Sequence, residues 1–387
     1  MVTLTTPTAN HTPSSDVLAP PPEGADDVLR VMRDDGSLDP ALDPKLGDDL
    51  VVSLYRHMVL TRVLDERLVT LQRQGRVGFH IGSYGEEAAV LGSAAAVRDQ
   101  DWLFPCYREF GAALWRGMTL ESYANNMFGN AKDPVKGRQM PDHYTCRAAK
   151  FGSVSSPIGT QITQAVGFAW AAKIKKDDLV TVAYFGEGAT SSSEFHNGMN
   201  FGGVFKTPTV FFCRNNGWAI SVPAEKQTAS ASFAAKGVAY GIPGVRCEGN
   251  DLFAVFRATR DAVARAASGL GPTLIEAMTY RLSGHSTSDD PKAYRKEDVV
   301  EQWKKKDPLL RLRKHLEGKS LWNASKQTDL EAKLDTEIKA LIADAEKVAL
   351  PPLESMFEDV YKEMPWHLRE QQAALLRGPR AQGHGDH

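Results

Sequence analysis

The stretch Gly186–Asn216, GEGATSSSEFHNGMNFGGVFKTPTVFFCRNN, decides the fold. An apolar run, LVTVAYF over Leu179–Phe185, stops at Gly186-Glu187-Gly188, and a second, TVFFC over Thr209–Cys213, stops at Arg214-Asn215-Asn216. Both runs are β-branched and aromatic, too short for a helix, and flat in periodicity. Strands buried on both faces of a parallel sheet read this way. Between them Ser192 to Val204 is a helix candidate, which makes the unit strand–loop–helix–strand–loop. In a right-handed βαβ unit both strands end on one edge of the sheet. The two loops, distant in sequence, are therefore expected to face each other at the carboxyl edge, where ligands bind.

The two loops carry complementary chemistry. Glu187 offers a carboxylate and Asn216 an amide oxygen, two hard donors that cannot enclose a metal alone. Mg²⁺ takes one or two protein oxygens and completes its octahedron with phosphate oxygens and water. Gly188, Ala189, Thr190 and Ser191 leave the helix amino end bare, as a phosphate seat requires. The expectation is a Mg²⁺–diphosphate site between two βα loops. The interval from Gly188 to Asn215 is 215 − 188 = 27 positions. Gly-(Asp/Glu)-Gly followed at that distance by Asn-Asn resembles the thiamine diphosphate motif. The specificity comes from context: a strand precedes each half, a helix lies between, and a metal-competent donor ends each.

At 387 residues the chain has room for one large α/β domain with appendages, or for two domains. A formal net charge of −2 gives no electrostatic case for nucleic acid or an anionic membrane, and no run approaches a membrane span. The amino terminus has no basic cluster or apolar core, and no Arg before Arg30, so no targeting segment is read there. The cysteines at 106, 146, 213 and 247 lie outside metal-motif spacing. These features together lead to an expected cytoplasmic location.

Residues 1–45, rich in Pro, Ser, Thr and Asp, read as a flexible arm. Residues 46–300 read as the α/β domain and 301–387 as a helical region for subunit packing. Asp48–Gln74 shows helical spacing, and Gly85–Val97 is a small-residue helix with Glu86 and Glu87 in its first turn, where they would offset the dipole. Trp102–Pro105 reads as a short strand delivering Tyr107-Arg108-Glu109 to a loop. A loop-rich stretch over 129–160 suggests function. After it comes a helix over Ile162–Lys173. Downstream, a helix around Ser230–Tyr240, a strand near Val245, a helix from Asp251 to Ala267 and a last strand, Thr273–Leu282, lead to a polar loop bearing His285. Amphipathic helices are expected over Trp303–Leu316, Asp329–Val348 and Trp366–Leu376.

Several stretches extend the resemblance: YGEEAAVLGSAAA, YREFG, KGRQMPDHY, SSPIGTQITQAVGFA, GEGATSSSE, FFCRNNGWAIS, GNDLFAV, IEAMTYR and GHSTSDDPKAYR. The chain resembles the α subunit of the decarboxylating component of branched-chain 2-oxo acid dehydrogenase complexes, strongly over about 48–300 and more loosely beyond. The resemblance implies a thiamine diphosphate-binding fold, a doubly wound, mostly parallel sheet flanked by helices, with a helical C-terminal extension. It implies Mg²⁺ on Glu187, Asn216 and the backbone carbonyl of Trp218. It places the diphosphate on Tyr107, Arg108, Ser156, Gly188, Ala189, Arg214 and His285. Ser155, Pro157, Thr160 and Gln161 match a K⁺ site, and His285 would also act catalytically beside the reacting centre. The activity implied is oxidative decarboxylation of a 2-oxo acid with acyl transfer to a lipoyl group.

Two residues depart from the family pattern. Cys106 stands where the family tends to have Gln, and Trp218 replaces the usual Tyr. The family's second phosphorylated serine in the His285 loop is Lys296 here, although Ser286 is present. Only one sheet's worth of strand–helix alternation lies between residues 100 and 300, with no second unit to carry the carboxylate that activates the cofactor. In the family a separate β subunit supplies it. The resemblance therefore implies an α2β2 heterotetramer, inactive as this chain alone, feeding a lipoyl acyltransferase core. A pyruvate or acetoin dehydrogenase α subunit is the alternative enzyme. A nucleotide-binding scaffold is the non-enzymatic alternative, although neither G-x-G-x-x-G nor the full G-x-x-x-x-G-K-(S/T) occurs.

Overall fold

A computed structural model describes residues 28–379. In chain order the elements are β1 (Val28–Leu29), α1 (Asp48–Arg73), α2 (Glu87–Ala95), β2 (Trp102–Phe104), α3 (Phe110–Trp115), α4 (Leu120–Phe128), α5 (Thr160–Lys175), β3 (Thr181–Gly186), α6 (Ser193–Phe205) and β4 (Thr209–Asn215). A two-stranded ribbon follows, β5 (Trp218–Ala219) and β6 (Val222–Pro223), then β7 (Gly244–Glu248), α7 (Leu252–Ala267) and β8 (Thr273–Met278). The chain continues through α8 (Glu297–Lys304), α9 (Pro308–Gly318), α10 (Ala324–Glu346) and α11 (Trp366–Arg377). Among the described residues no helix is long and apolar enough to cross a membrane.

Six strands form one parallel sheet in the order β1-β7-β8-β4-β3-β2. The chain steps in one direction from β2 through β3 to β4, jumps to β7, and steps back to β8. Right-handed crossovers then place α5 and α6 on one face and α7 on the other. Side-chain alternation matches this. Val182, Tyr184, Val210, Phe212, Ile275 and Ala277 join the core beneath α2 and α7. Ala183, Phe185, Phe211, Cys213 and Leu274 join the core beneath α5 and α6. Both faces of β3 and β4 are thus covered, the physical reason for their unbroken apolar runs. The stepping direction reverses between β4 and β8, so the crevice there is the topological switch point.

Register then sets the site. Gly186 pairs with Arg214 and Asn215 with Met278. Three strands therefore end within one residue of level, and the next residues, Glu187, Asn216 and Thr279, emerge on the same edge. In the layer behind, Gly92 lets α2 approach α7 closely: a Cβ there would stand 3.0 Å from the Leu252 carbonyl oxygen.

Several boundaries depart from expectation. The stretch 230–240 holds only a 3-10 turn, Ala234–Tyr240. Its small residues are pressed against the next strand, and a Cβ on Gly237 would lie 2.5 Å from the Ile242 carbonyl oxygen. β8 ends at Met278 rather than 282, because Thr279 and Arg281 bond backwards onto the β4 loop. Trp303–Leu316 divides into α8 and α9, with Asp307 capping Leu309 and Leu310 just ahead of Pro308. The boundary at 300 is not a packing boundary: Leu330, Leu334, Ile338 and Ile342 of α10 enter the same core as α1.

The expected arm over 1–45 is ordered from residue 28 onward, while 1–27 lie outside the described residues. β1 pairs with β7, and Val31 and Met32 are buried. The tie is Asp251. Its Oδ2 accepts from the Val31 and Met32 N–H groups at 2.7 and 2.6 Å, while its Oδ1 caps α7 through Phe253 and Ala254. Asp251→Ala removes the cap and leaves two buried donors unpaired, so it should lower unfolding stability by about 3 kcal/mol or more. Denaturant titration measures this, and a loss near zero would show the tie to be dispensable.

Candidate active site

The carboxyl edge brings together the loops after β3, β4 and β8 and the turns ahead of α2 and α3. Glu187 and Asn216 meet as expected: the Asn216 N–H donates to Glu187 Oε2 at 3.3 Å. The Asn216 side-chain oxygen accepts from the Trp218 N–H at 3.2 Å in a turn with Gly217 at φ +85°. The Trp218 carbonyl oxygen accepts from Arg281 Nη1 at 3.5 Å. Glu187 is buried, and its partners are neutral, the Asn216 N–H and the Gln227 amide at 3.3 Å. Burial pushes its carboxyl above the ordinary carboxylate range, with Glu86 nearby adding to the effect.

Gly188 and Ala189 lie in a 3-10 turn, Glu187–Ser191, and α6 starts only at Ser193, capped by Ser192. The bare helix end expected directly after Gly188 is therefore displaced by one turn. A Cβ on Gly188 would stand 2.6 Å from the Ala219 Cβ, so this glycine lets the β5–β6 ribbon fold over the β3 loop.

The cations divide into two kinds. Arg214 is doubly neutralised, by Glu86 at 2.7 Å and Glu109 at 2.5 Å. Arg108 reaches one carboxylate, Glu86, at 4.0 Å, and otherwise donates to the Gly82 carbonyl, to His285 Nδ1 at 3.2 Å and to the His285 carbonyl at 2.7 Å. Arg281 donates to the Ile220 carbonyl at 2.8 Å and to the Tyr294 hydroxyl at 2.6 Å, and meets no carboxylate within ion-pair distance among the described residues. All three guanidiniums are buried, and the Nε atoms of Arg214 and Arg281 have no hydrogen-bond partner.

His285 packs edge-on to Tyr107, ring centroids 6.0 Å apart. Its N–H donates to Asp289, which also accepts from the Tyr294 hydroxyl. Because arginine only donates, His285 Nδ1 must accept, and the ring proton sits on Nε2. Burial, then Arg108 and Arg281, lowers the imidazole to about 3.

Ser156, expected at the diphosphate, is bonded to His143 and lies at the exposed rim. Of the expected K⁺ set, the Pro157 carbonyl accepts from the Thr160 hydroxyl at 3.0 Å, while Gln161 donates to the Tyr184 carbonyl at 2.8 Å. Among the described residues no group of three His, Cys, Asp or Glu could hold a metal ion. A metal at Glu187 would depend on amide, carbonyl and phosphate oxygens.

Sequence reasoning missed Glu86, Gln227 and Arg281. Glu86 does not merely offset a helix dipole: it is fully buried among Arg214, Arg108 and Asn216. The available signal was two adjacent carboxylates opening a helix of small apolar residues, where nothing local could neutralise them. The second, Glu87, pairs with Arg62 at 2.5 Å.

Fit to a diphosphate with a divalent cation follows from these contacts. Two buried guanidiniums are short of anions, and one buried carboxylate is short of a cation. Fold and edge chemistry together define an α/β subunit of the thiamine diphosphate-dependent class. The dehydrogenase E1 component family matches residues 55–354, and the chain belongs to that family. It is 44% identical to the 2-oxoisovalerate dehydrogenase subunit alpha, mitochondrial, of Bos taurus over 362 residues, 93% of this chain and 79% of that protein. Its identity to the Mus musculus counterpart is 43%, over 93% of this chain and 81% of that one. The Arabidopsis thaliana subunit alpha 1 is 42% identical over 89% of this chain and 74% of its own length.

All three relatives are named as mitochondrial, which overturns the expected cytoplasmic location. Reduced cysteines and a near-neutral charge do not distinguish one reducing compartment from another.

The depressed His285 value predicts a direction. A folded value below the unfolded one, about 6.5, means protonation opposes folding, so stability is lost as pH falls from about 6.5 toward 3. In the cofactor-free chain the His285 ring resonances should hold constant from about pH 8 to 5. A midpoint near 6.5 by NMR would show the ring to be solvated.

Proposed function

We infer that this chain is the α subunit of the decarboxylating component of a branched-chain 2-oxo acid dehydrogenase. The observation carrying the cofactor is the charge split at the carboxyl edge: buried Glu187 with only neutral donors, opposite Arg108 and Arg281 short of carboxylates. The names of the relatives support the branched-chain substrate over pyruvate or acetoin.

Bound thiamine diphosphate supplies the carbanion chemistry by which a 2-oxo acid loses carbon dioxide. Mg²⁺ is assigned to the Glu187 carboxylate, the Asn216 amide oxygen and the Trp218 carbonyl. Arg108, Arg281 and Arg214 supply the positive field for the diphosphate, with Tyr107, Gly188 and Ala189 alongside. Ser156 and His285 belong to the same set, Ser156 from the rim. His285 presents its Nε2 proton to the reacting group, held in that tautomer by Arg108 and on its backbone by Asp289. The Pro157 carbonyl and Thr160 hydroxyl, with Ser155 and Gln161, are the assigned K⁺ ligands.

Several large apolar side chains on the segments that carry the site are exposed: Met140, Ile158, Ile220 and Val222. A β subunit covering them would close the site, exclude water and add the carboxylate that activates the cofactor, in an α2β2 assembly serving a lipoyl acyltransferase.

Glu187→Ala should weaken Mg²⁺-dependent thiamine diphosphate binding by at least about tenfold, measured by calorimetry with the β chain co-expressed. Unchanged affinity would remove the metal assignment. With that partner present, carbon dioxide release should show its highest kcat/KM on 3-methyl-2-oxobutanoate. A preference for pyruvate would transfer the chain to the alternative substrate class.

A further inference from the structure

One buried charge cluster lies outside the site just described. His80 is fully buried, with Nε2 3.0 Å from Asp65 of α1 and Nδ1 3.1 Å from Asp142. Both carboxylates are buried as well. Ionised carboxylates only accept, so both ring nitrogens donate and the ring is an imidazolium. The remaining polar and aromatic neighbours are the Tyr123 hydroxyl of α4, donating to Asp142 at 2.6 Å, and the Phe110 ring of α3, centroid 6.1 Å away. Burial alone would lower the imidazole, but the two carboxylates together outweigh it and raise it to about 10, which agrees with the geometry.

The same carboxylates also hold the backbone on either side. Asp142 accepts from the Ile81 N–H at 2.7 Å, and Asp65 accepts from the Ser83 N–H at 2.8 Å. Gly82, between them, has no room for a side chain: a Cβ would stand 2.0 Å from Asp65 Oδ1. The segment 80–83 is thus clamped from below. Its upper side faces the catalytic loop. The His80 N–H donates to the Thr287 hydroxyl at 3.1 Å, and the Thr287 N–H donates to the His80 carbonyl at 3.0 Å. The Gly82 carbonyl accepts from Arg108, which in turn holds both the ring and the carbonyl of His285.

We propose that His80 is a positioning residue: its buried ion triad fixes segment 80–83 as the anchor from which Arg108 and the His285 loop are held in place. The catalytic consequence rests on the role given to His285 above; the structural one, order in the loop, does not. Without the imidazolium, two buried carboxylates are left with neutral donors and no cation between them, and the grip on the segment is loosened.

The test uses the full chain co-expressed with its β partner. Limited trypsin digestion should cut after the exposed Lys292 or Lys296 about tenfold faster in His80→Gln than in the parent, because cleavage follows the population of the opened loop. Thr287→Val removes one of the two upper hydrogen bonds without touching the carboxylates and should show the same direction of change, smaller in size, which decides the matter if His80→Gln fails to assemble. With thiamine diphosphate saturating, so that any loosening of Arg108 is not limiting, turnover should fall in His80→Gln, yet change little when the same substitution is added to His285→Ala, since the two then act in series. Unchanged loop cleavage in both variants overturns the proposal. So does an equal fractional loss of turnover in the two backgrounds, the mark of a general structural defect. If His285→Ala leaves turnover intact while loop cleavage still rises in His80→Gln, the anchor stands and the catalytic role of His285 falls.

Discussion

The Glu86 carboxylate, buried at the start of α2, is the contact on which the carboxyl edge depends. It accepts from Arg214 at 2.7 Å and from the Asn216 amide at 3.0 Å, and lies 4.0 Å from Arg108. An ionised group removed from water survives only where such partners converge. Three loop ends are thereby drawn to one point. The Asn216 amide also commits its nitrogen to Glu86, which leaves its oxygen turned the other way, toward the Trp218 turn. One interaction neutralises Arg214, draws in Arg108 and orients the oxygen assigned to the metal.

Around that contact the edge divides by charge. Arg214 has its full share of anions, whereas Arg108 and Arg281 end on carbonyls, a hydroxyl and an imidazole. Glu187 ends on amides. Such a distribution is poor for stability by itself, because buried charges are left undercompensated. It suits a ligand that carries both signs, a polyanion together with its divalent cation. The parallel sheet makes this affordable: β3, β4 and β8 end within one residue of level, and the extensive apolar burial beneath α2, α5, α6 and α7 holds their ends rigid. The neutral His285 follows first from burial and then from the same crowding, since two guanidiniums beside it disfavour a third positive charge.

Legibility in the sequence followed physical range. The strands β3 and β4, the helix between them, and the meeting of Glu187 with Asn216 were all readable, because each depends on periodicity and handedness within about thirty residues. Glu86 was misread because the helix dipole is a local explanation and its true partners are not local: Arg214 is 128 positions away. Arg281 was hidden inside what read as strand, because β8 stops at Met278 when its continuation bonds to the β4 loop instead. The 28–45 segment looked polar and loose, yet two backbone N–H groups on Asp251, some 220 positions away, pin it to the sheet.

By itself, then, the amino-acid order determined a parallel α/β sheet, the edge where chemistry occurs, and the residue types available there. Tertiary structure alone decided which cation met which anion, and therefore which charges were left for a ligand. Strand and helix patterns are written in neighbouring side chains, where burial repeats every two or every 3.6 residues. Ion-pair choice in a dry interior is settled by distances of a few ångströms between elements far apart in the chain, and no local pattern records those distances.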